Sequence, residues 1–275
     1  MSVFSNKVVF ITGAASGIGR GIAERVSAAG AIVIVADING TGAEAVAANL
    51  RAKNGRAEAI SLDVTKADDV RAAIEGAAAT HGRLDYVFNN AGIGFRGEVR
   101  DTSLEQWKLV IDVNLLGVVH GVHAAYPIMA RQGHGHIVNT ASLAGLVVAP
   151  LLAPYAAAKA GVVGLSRALR IEGAGLGVKV TALCPGFIQT GIYDAAVTAG
   201  AKHQGSVKAS IPFPIAPLDA SVDELLAGVE RNDEIVVLPK IARTAWFVTR
   251  VWPKRIEKML LAQVKRFRRD ERSAP

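Results

Sequence analysis

The stretch Lys7-Val8-Val9-Phe10-Ile11-Thr12-Gly13-Ala14-Ala15-Ser16-Gly17-Ile18-Gly19 decides the fold. Lys7 to Thr12 is a short apolar strand. The glycine-rich segment behind it opens a helix whose apolar positions are Ile22, Ala23, Val26 and Ala29. A second strand, Ile32 to Ala36, ends in Asp37. Strand, Gly-rich turn, helix and strand make a βαβ unit of the kind that cradles a dinucleotide. The glycines let the backbone turn tightly and approach a pyrophosphate, which rests on the helix N-terminus. Asp37 stands where an acid accepts hydrogen bonds from a ribose 2′-hydroxyl. The same carboxylate repels a 2′-phosphate, so NAD is favoured over NADP. The spacing is Gly-x-x-x-Gly-x-Gly, and its weight comes from the strand before it, the helix after it and the acid in place.

Outward from this unit the alternation continues. A helix runs near Thr41 to Lys53, and a strand from Ala57 to Leu62 ends in Asp63. A helix covers about Lys66 to His81. A strand, Leu84 to Phe88, ends in Asn89-Asn90-Ala91-Gly92. Such alternation predicts a doubly wound parallel sheet with helices on both faces, an α/β fold of Rossmann type. Ligands of open α/β sheets bind at the carboxyl edge of the strands, where these polar residues fall. Asp63 reads either as a contact to the adenine amino group or as a helix N-cap. A long helix is expected over about Ser103 to Ala130, with Asn114 inside the apolar run Val113, Leu115, Leu116, Val118 and Val119. An apolar helix tolerates Asn only where its amide is satisfied, so Asn114 either braces structure or holds water for a site. His120 and His123 are three apart but have no carboxylate partner or zinc motif, so no metal site is expected.

A second informative stretch runs from Ser142 to Lys159. Ser142 ends the apolar run Ile137, Val138, with its hydroxyl at a strand end. Pro154 marks the first turn of a helix on which Tyr155 and Lys159, four apart, share a face. Free Tyr titrates near ~10, and one adjacent cation lowers such a pKa by roughly 1–3 units. That predicts a phenol tuned for proton transfer near neutrality. The apolar residues between (Leu146, Val147, Val148, Leu151, Leu152) read either as the wall of an apolar substrate site or as core. Strand Val178 to Cys184 runs into Pro185-Gly186-Phe187-Ile188-Gln189-Thr190. A loop-rich region to Pro217 follows, long enough to wall or cover a substrate. A helix near Val222 to Val229 and a strand, Ile235 to Leu238, close a body spanning 1–238.

Composition narrows the class. The 275 residues, 51% hydrophobic and 20% charged, suit one large globular domain with a full core. A single cysteine, Cys184, excludes an intramolecular disulfide and fits a reducing compartment. Neither a secretory signal pattern nor an apolar run of ~20 residues stands out, so a cytoplasmic location is expected. The net charge of +7 is uneven: from Lys240 to Pro275 there are eleven Lys/Arg against three Asp/Glu, so the body sums to −1. A basic tail on a neutral body is poor support for a nucleic-acid-binding fold. In that tail, 239–275, Ile256, Leu260, Val264 and Phe267 fall on one helical stripe. They are flanked by Trp246, Trp252 and many cations. An interfacial membrane helix needs this pattern. A helix packed on the body or on a second subunit needs it equally.

Together these pieces resemble the short-chain dehydrogenase/reductase family: Thr12-Gly13-x-x-x-Gly17-Ile18-Gly19, Asp37, Asp63, Asn89 to Gly92, Asn114, Ser142, Tyr155-x-x-x-Lys159, and Pro185-Gly186 with Thr190. They appear in the family's order over about Lys7 to Leu238. The resemblance implies Tyr155 as catalytic acid/base and Lys159 as the residue that lowers its pKa and binds the nicotinamide ribose. It implies Ser142 as orienter of the substrate oxygen and Asn114 as holder of a relay water. The implied cofactor-binding set is Gly13, Ser16, Gly17, Ile18, Gly19, Asp37, Asp63, Val64, Asn90, Ala91, Gly92, Tyr155, Lys159, Pro185, Gly186, Ile188 and Thr190. The expected activity is NAD(H)-linked interconversion of an alcohol and a ketone or aldehyde, with an apolar steroid-, retinoid- or acyl-type substrate, in a homodimer or homotetramer. Two alternatives stay open. An NADPH-linked carbonyl or 3-oxoacyl reductase would use the same residues. A non-catalytic nucleotide sensor would need none of the Tyr155 group.

Overall fold

The structure is a computed structural model that describes residues 2–201, 207–208, 211 and 213–272. Seven strands form one parallel sheet: β1 (Val8–Thr12), β2 (Ile32–Asp37), β3 (Arg56–Ser61), β4 (Tyr86–Asn89), β6 (Gly135–Thr140), β7 (Val178–Pro185) and β9 (Ile235–Leu238). Their spatial order is β3-β2-β1-β4-β6-β7-β9. The chain steps outward from β1 to β3, then returns to lay β4 on the other side of β1. That reversal opens a crevice at the carboxyl edge between β1 and β4.

The strands read as continuous apolar runs because both faces are buried. Along β1, Val8 and Phe10 enter one core while Val9 and Ile11 enter the other. The first face is covered by α3 (Ala67–His81), α5 (Gly117–Gln132) and α6 (Ala153–Gly173), and the second by α1 (Gly17–Ala28), α2 (Gly40–Ala52) and α7 (Leu218–Glu230). This doubly wound Rossmann-type sheet is the expected fold class.

Three local expectations need correction. The long helix is not continuous: α4 (Leu104–Ile111) ends in a π turn, Asp112–Leu116, before α5 begins. The side chain of Asn114 supplies the reason. It reaches Val110 O at 3.0 Å and both main-chain groups of Ile93, tying the turn to the loop after β4. The whole run 104–132 is long and apolar enough to span a membrane by length and composition, although no such run was expected. Its apolarity is used in packing against α3, α6, β4 and β6. Nor is the region after β7 mere loop. β8 (Val197–Ala199) pairs in parallel with β5 (Phe95–Gly97) in a second small sheet. Of the region after β7, residues 202–206, 209–210 and 212 lie outside the described residues.

The tail forms two helices, α8 (Lys240–Val251) and α9 (Pro253–Asp270). The anticipated stripe turns inward onto the body: Phe267 is 1% exposed, and Ile256, Leu260 and Val264 are partly buried. The Arg96 guanidinium lies 5.2 Å from the Phe267 ring centroid. Arg268 pairs with Glu98 at 2.6 Å, Arg272 with Asp101 at 2.9 Å, and Arg96 with Glu271 at 2.8 Å. Hydrogen bonds from Arg268 and Arg272 hold the Glu98 and Asp101 carboxyls below the usual range.

Candidate active site

A cleft of about 610 Å³ opens along the carboxyl edge of the sheet. Among the expected site residues, Gly13, Ser16, Gly17, Ile18, Asp37, Asp63, Val64, Asn90, Ala91, Gly92, Asn114, Ser142, Tyr155, Lys159, Pro185, Gly186, Ile188 and Thr190 all line it. Gly19 does not. It packs beneath the loop, where an added Cβ would meet Gly13 O at 2.2 Å.

At one end, Gly13 and Gly17 have φ of 65° and 52°, a region that favours glycine. Helix α1 begins at Gly17, and its N-cap, Ser16, makes no side-chain cap bond. The first-turn N–H groups therefore face the cleft without a side-chain acceptor, as a pyrophosphate requires. Asp37 Oδ2 accepts from Ala15 N–H and its Oδ1 from Asn39 N–H, both at 2.9 Å, which fixes the carboxylate at the mouth of the crevice. The residues beside it, Ile38, Asn39 and Gly40, include no cation. Asp63 is not the N-cap of α3, which is Lys66. Its carboxylate instead accepts from the main chain and hydroxyl of Thr65 at 2.9 and 2.7 Å. These bonds hold it below the usual carboxylate range and leave it at the cleft edge beside Leu62 and Val64.

The middle is pinned by polar strand ends. Thr12 Oγ1 accepts from the N–H groups of Asn90 and Ala91 at 3.0 and 3.1 Å. Asn90 Nδ2 donates to Thr12 O, and Asn90 Oδ1 accepts from the Thr140 hydroxyl at 3.2 Å. Asn89 Nδ2 donates to Asn139 Oδ1 at 2.8 Å, and Asn139 Nδ2 to Ser166 Oγ at 3.0 Å. These bonds lock β1, β4, β6 and α6 in one register, so the crevice has rigid walls.

At the other end sits the chemistry. The turn after β6 presses on α6 at Gly145, where a Cβ would lie 2.6 Å from the Lys159 backbone. This close approach sets Ser142 and Tyr155 on the wall of the same cleft, and the Ser142 hydroxyl lies against Pro185 O at 3.5 Å. The Ser142 oxygen also accepts from Ala144 N–H at 3.1 Å. Lys159 is 2% exposed, donates to Thr140 O at 2.7 Å and lies 5.7 Å from the Tyr155 ring centroid. The electrostatics differ from the expectation. Burial pushes the Tyr155 phenol up, opposed by the Ser142 hydrogen bond. Burial also lowers the Lys159 ammonium to about 8. Burial sets the direction for the phenol, so near neutrality Tyr155 holds its proton. Cys184, fully buried behind the site, has a thiol pushed up to about 12 by burial and is inert.

The expected apolar wall divides. Val147, Val148 and Leu152 line the cleft, while Leu146 packs on the core and Leu151 is buried. Sequence reasoning missed three contributors. Thr140 supplies the carbonyl that positions Lys159. Tyr193 lines the cleft, its hydroxyl accepts from Ile188 N–H at 3.1 Å, and burial pushes its phenol up to about 12. The third is the tail: Ala245, Thr249, Ile256, Met259, Leu260 and Gln263 line the same cleft as Tyr155. The inward stripe of α9 was a readable signal, but its counter-surface was not. His120 spends its ring nitrogen on Val64 O at 2.8 Å. Among the described residues no group of three or more His, Cys, Asp or Glu is placed to hold a metal ion.

A Rossmann-type sheet, a Gly-rich pyrophosphate loop and a Ser-Tyr-Lys group at the far end of one crevice define a nicotinamide-dinucleotide oxidoreductase. The chain matches the short chain dehydrogenase family over residues 7–199 and belongs to it. It is 43% identical over 190 residues to the cyclohexanol dehydrogenase of Acinetobacter sp. (strain SE19), covering 68% of this chain and 75% of that one. It is 34% identical over 260 residues to "Probable oxidoreductase EphD" of Mycobacterium tuberculosis, covering 91% of this chain and 44% of that one. Among solved structures, a short chain dehydrogenase/reductase from Burkholderia phymatum in complex with NAD superposes with a TM-score of 0.81 at 30% identity, covering 94% of this chain and 97% of that one.

Proposed function

We propose that the protein is an NAD(H)-dependent dehydrogenase or reductase that interconverts an apolar alcohol and its ketone or aldehyde. The observation that carries this reading is one cleft with buried Ser142 and Lys159 and half-buried Tyr155 at one end and Asp37, without a neighbouring cation, at the other. Gly13 to Ile18 would hold the pyrophosphate, Asp37 the adenosine ribose, Asp63 and Val64 the adenine, and Lys159, Pro185 to Ile188 and Thr190 the nicotinamide half. Bound NAD supplies or accepts the hydride. In reduction Tyr155 gives its phenolic proton to the carbonyl oxygen while the Ser142 hydroxyl supports the charge developing there; in oxidation the same phenol oxygen takes the proton back. The Lys159 ammonium beside the ring favours the phenolate left after transfer. Val147, Val148, Leu152, Ile256 and Leu260 argue for an apolar substrate, and the likeness to a cyclohexanol dehydrogenase supports an alcohol.

The test is a panel of cyclic and long-chain alcohols assayed by nicotinamide absorbance with NAD and with NADP. Turnover with NAD alone, relaxed by Asp37→Ala, supports the reading; tighter binding of NADP by the unaltered protein refutes the cofactor assignment. We also propose a homo-oligomer. Leu104, Leu109, Leu116 and Ile171, on the α4–α5 run and α6, are exposed large apolar residues suited to a subunit contact. Light scattering from a monomer at micromolar concentration would exclude it.

A further inference from the structure

The α8–α9 pair has two faces of different chemistry. Inward, Ala242 and Phe267 are buried on the body, and Thr249, Ile256 and Leu260 wall the cleft. Outward, Phe247, Val251 and Trp252 are 62%, 47% and 51% exposed. Phe247 and Val251 are four apart on the side of α8 opposite Ala242. With Trp252 they cluster at the bend between the two helices, which is more than a scatter of single apolar side chains.

The cations divide in the same way. Near the end of α9, Arg268 and Arg272 are spent on Glu98 and Asp101. Near its start, Lys254, Arg255 and Lys258 are exposed and make no ion pair with any described residue. At about 100° per residue, Lys254, Lys258 and Lys265 point away from Ile256, Leu260 and Phe267. Free cations therefore surround the exposed aromatic bend, and paired ones fasten the far end.

We infer that the α8–α9 pair docks the protein on an anionic lipid surface. Phe247, Val251 and Trp252 enter the acyl boundary, and Lys254, Arg255 and Lys258 hold the headgroups. Charge complementarity selects this occupant. A second copy meeting tail to tail would bring the same cations face to face, and the excess positive charge sits in the tail, at +8 against −1 for the rest of the chain. The indole of Trp252 suits a boundary that is apolar on one side and wet on the other. Because the opposite sides of the same helices wall the cleft, docking sets that wall against the bilayer. An apolar alcohol or ketone dissolved there has a short path to Tyr155. That path rests on the apolar-substrate reading above; the docking does not.

The test sediments the full-length protein with vesicles of pure phosphatidylcholine and of equimolar phosphatidylcholine and phosphatidylglycerol. The protein is expected to pellet only with the anionic vesicles and to be released at about 1 M salt, where the Debye length is about 3 Å. Two variants, Phe247→Ser/Trp252→Ser and Lys254→Glu/Arg255→Glu/Lys258→Glu, are expected to lose this binding, the second by about a hundredfold or more. Both should bind NADH as the unaltered protein does, which shows that the fold and the catalytic cleft are intact. Equal pelleting with the two vesicle types, or variants that pellet as well as the unaltered protein, would overturn the docking. If docking holds but no apolar alcohol in the panel is turned over, the substrate reading alone fails.

Discussion

Asn114 offers a direct measurement of what the π turn does. Its side chain is fully buried. Oδ1 accepts from Ile93 N–H at 3.2 Å, and Nδ2 donates to Ile93 O at 3.1 Å and Val110 O at 3.0 Å. Asn114→Ala leaves three main-chain groups without these partners. At about 1 kcal/mol net for each hydrogen bond, the expected loss is about 3 kcal/mol, more if the groups stay dry. For a chain of this size that corresponds to a fall in Tm of roughly 5–10 °C. Urea unfolding and a thermal melt give the stability, and NADH binding with turnover on the best alcohol gives the function. Because Ile93 adjoins the Asn89–Gly92 segment of the cleft, NADH affinity should fall along with stability. A variant that loses less than about 1 kcal/mol while its turnover collapses would refute this bracing role. It would show that Asn114 acts on water or substrate instead.

Tyr155→Phe removes only the transferable proton, so turnover should fall about 10²–10⁴-fold with NADH binding unchanged; a variant keeping a tenth of the activity would exclude Tyr155 as the acid/base. The Lys159 ammonium, lowered to about 8 by burial, is charged below that value and neutral above it. A pH profile of kcat/KM for ketone reduction should therefore be flat at neutrality and fall above about 8, and a profile level to pH 10 would contradict it. His136 is lowered to about 3 by burial, so the native state keeps it neutral while the unfolded chain protonates near ~6.5. Its contribution to stability is complete above ~6.5 and is lost as pH falls toward 3, about 2–3 kcal/mol of it between pH 6 and 4. Urea midpoints across that range should drop in the unaltered protein and much less in His136→Gln.

What was legible in the sequence was local. The apolar run at Val8, the glycines from 13 to 19 and the acid at 37 form one contiguous unit, and its backbone chemistry requires those residue types in that order. Tyr155 and Lys159 were readable as a pair because one helical turn joins them. The pairing of β5 with β8 was not, because each strand has three residues and they lie about a hundred positions apart. The π turn depends on a contact between Asn114 and Ile93 that no helical periodicity encodes. The proton affinity of Tyr155 was misjudged because a neighbour's charge can be read from spacing, whereas depth of burial cannot. The stripe on α9 was visible residue by residue; that it would face the cleft depended on Glu98 and Asp101, far away on the body.

Those anchors have a consequence for the order in which the molecule comes together and apart. Glu98 and Asp101 leave the ribosome about 170 residues before the arginines that clamp them. The nucleotide crevice between β1 and β4 can therefore assemble while the substrate wall is still unmade. In the finished protein the clamp at Arg268, 54% exposed on its arginine side, is among the first contacts to open. Hydrogen exchange should accordingly release α9 as a unit ahead of β1, β4 and β6, opening the substrate side of the cleft while the sheet beneath it stays folded.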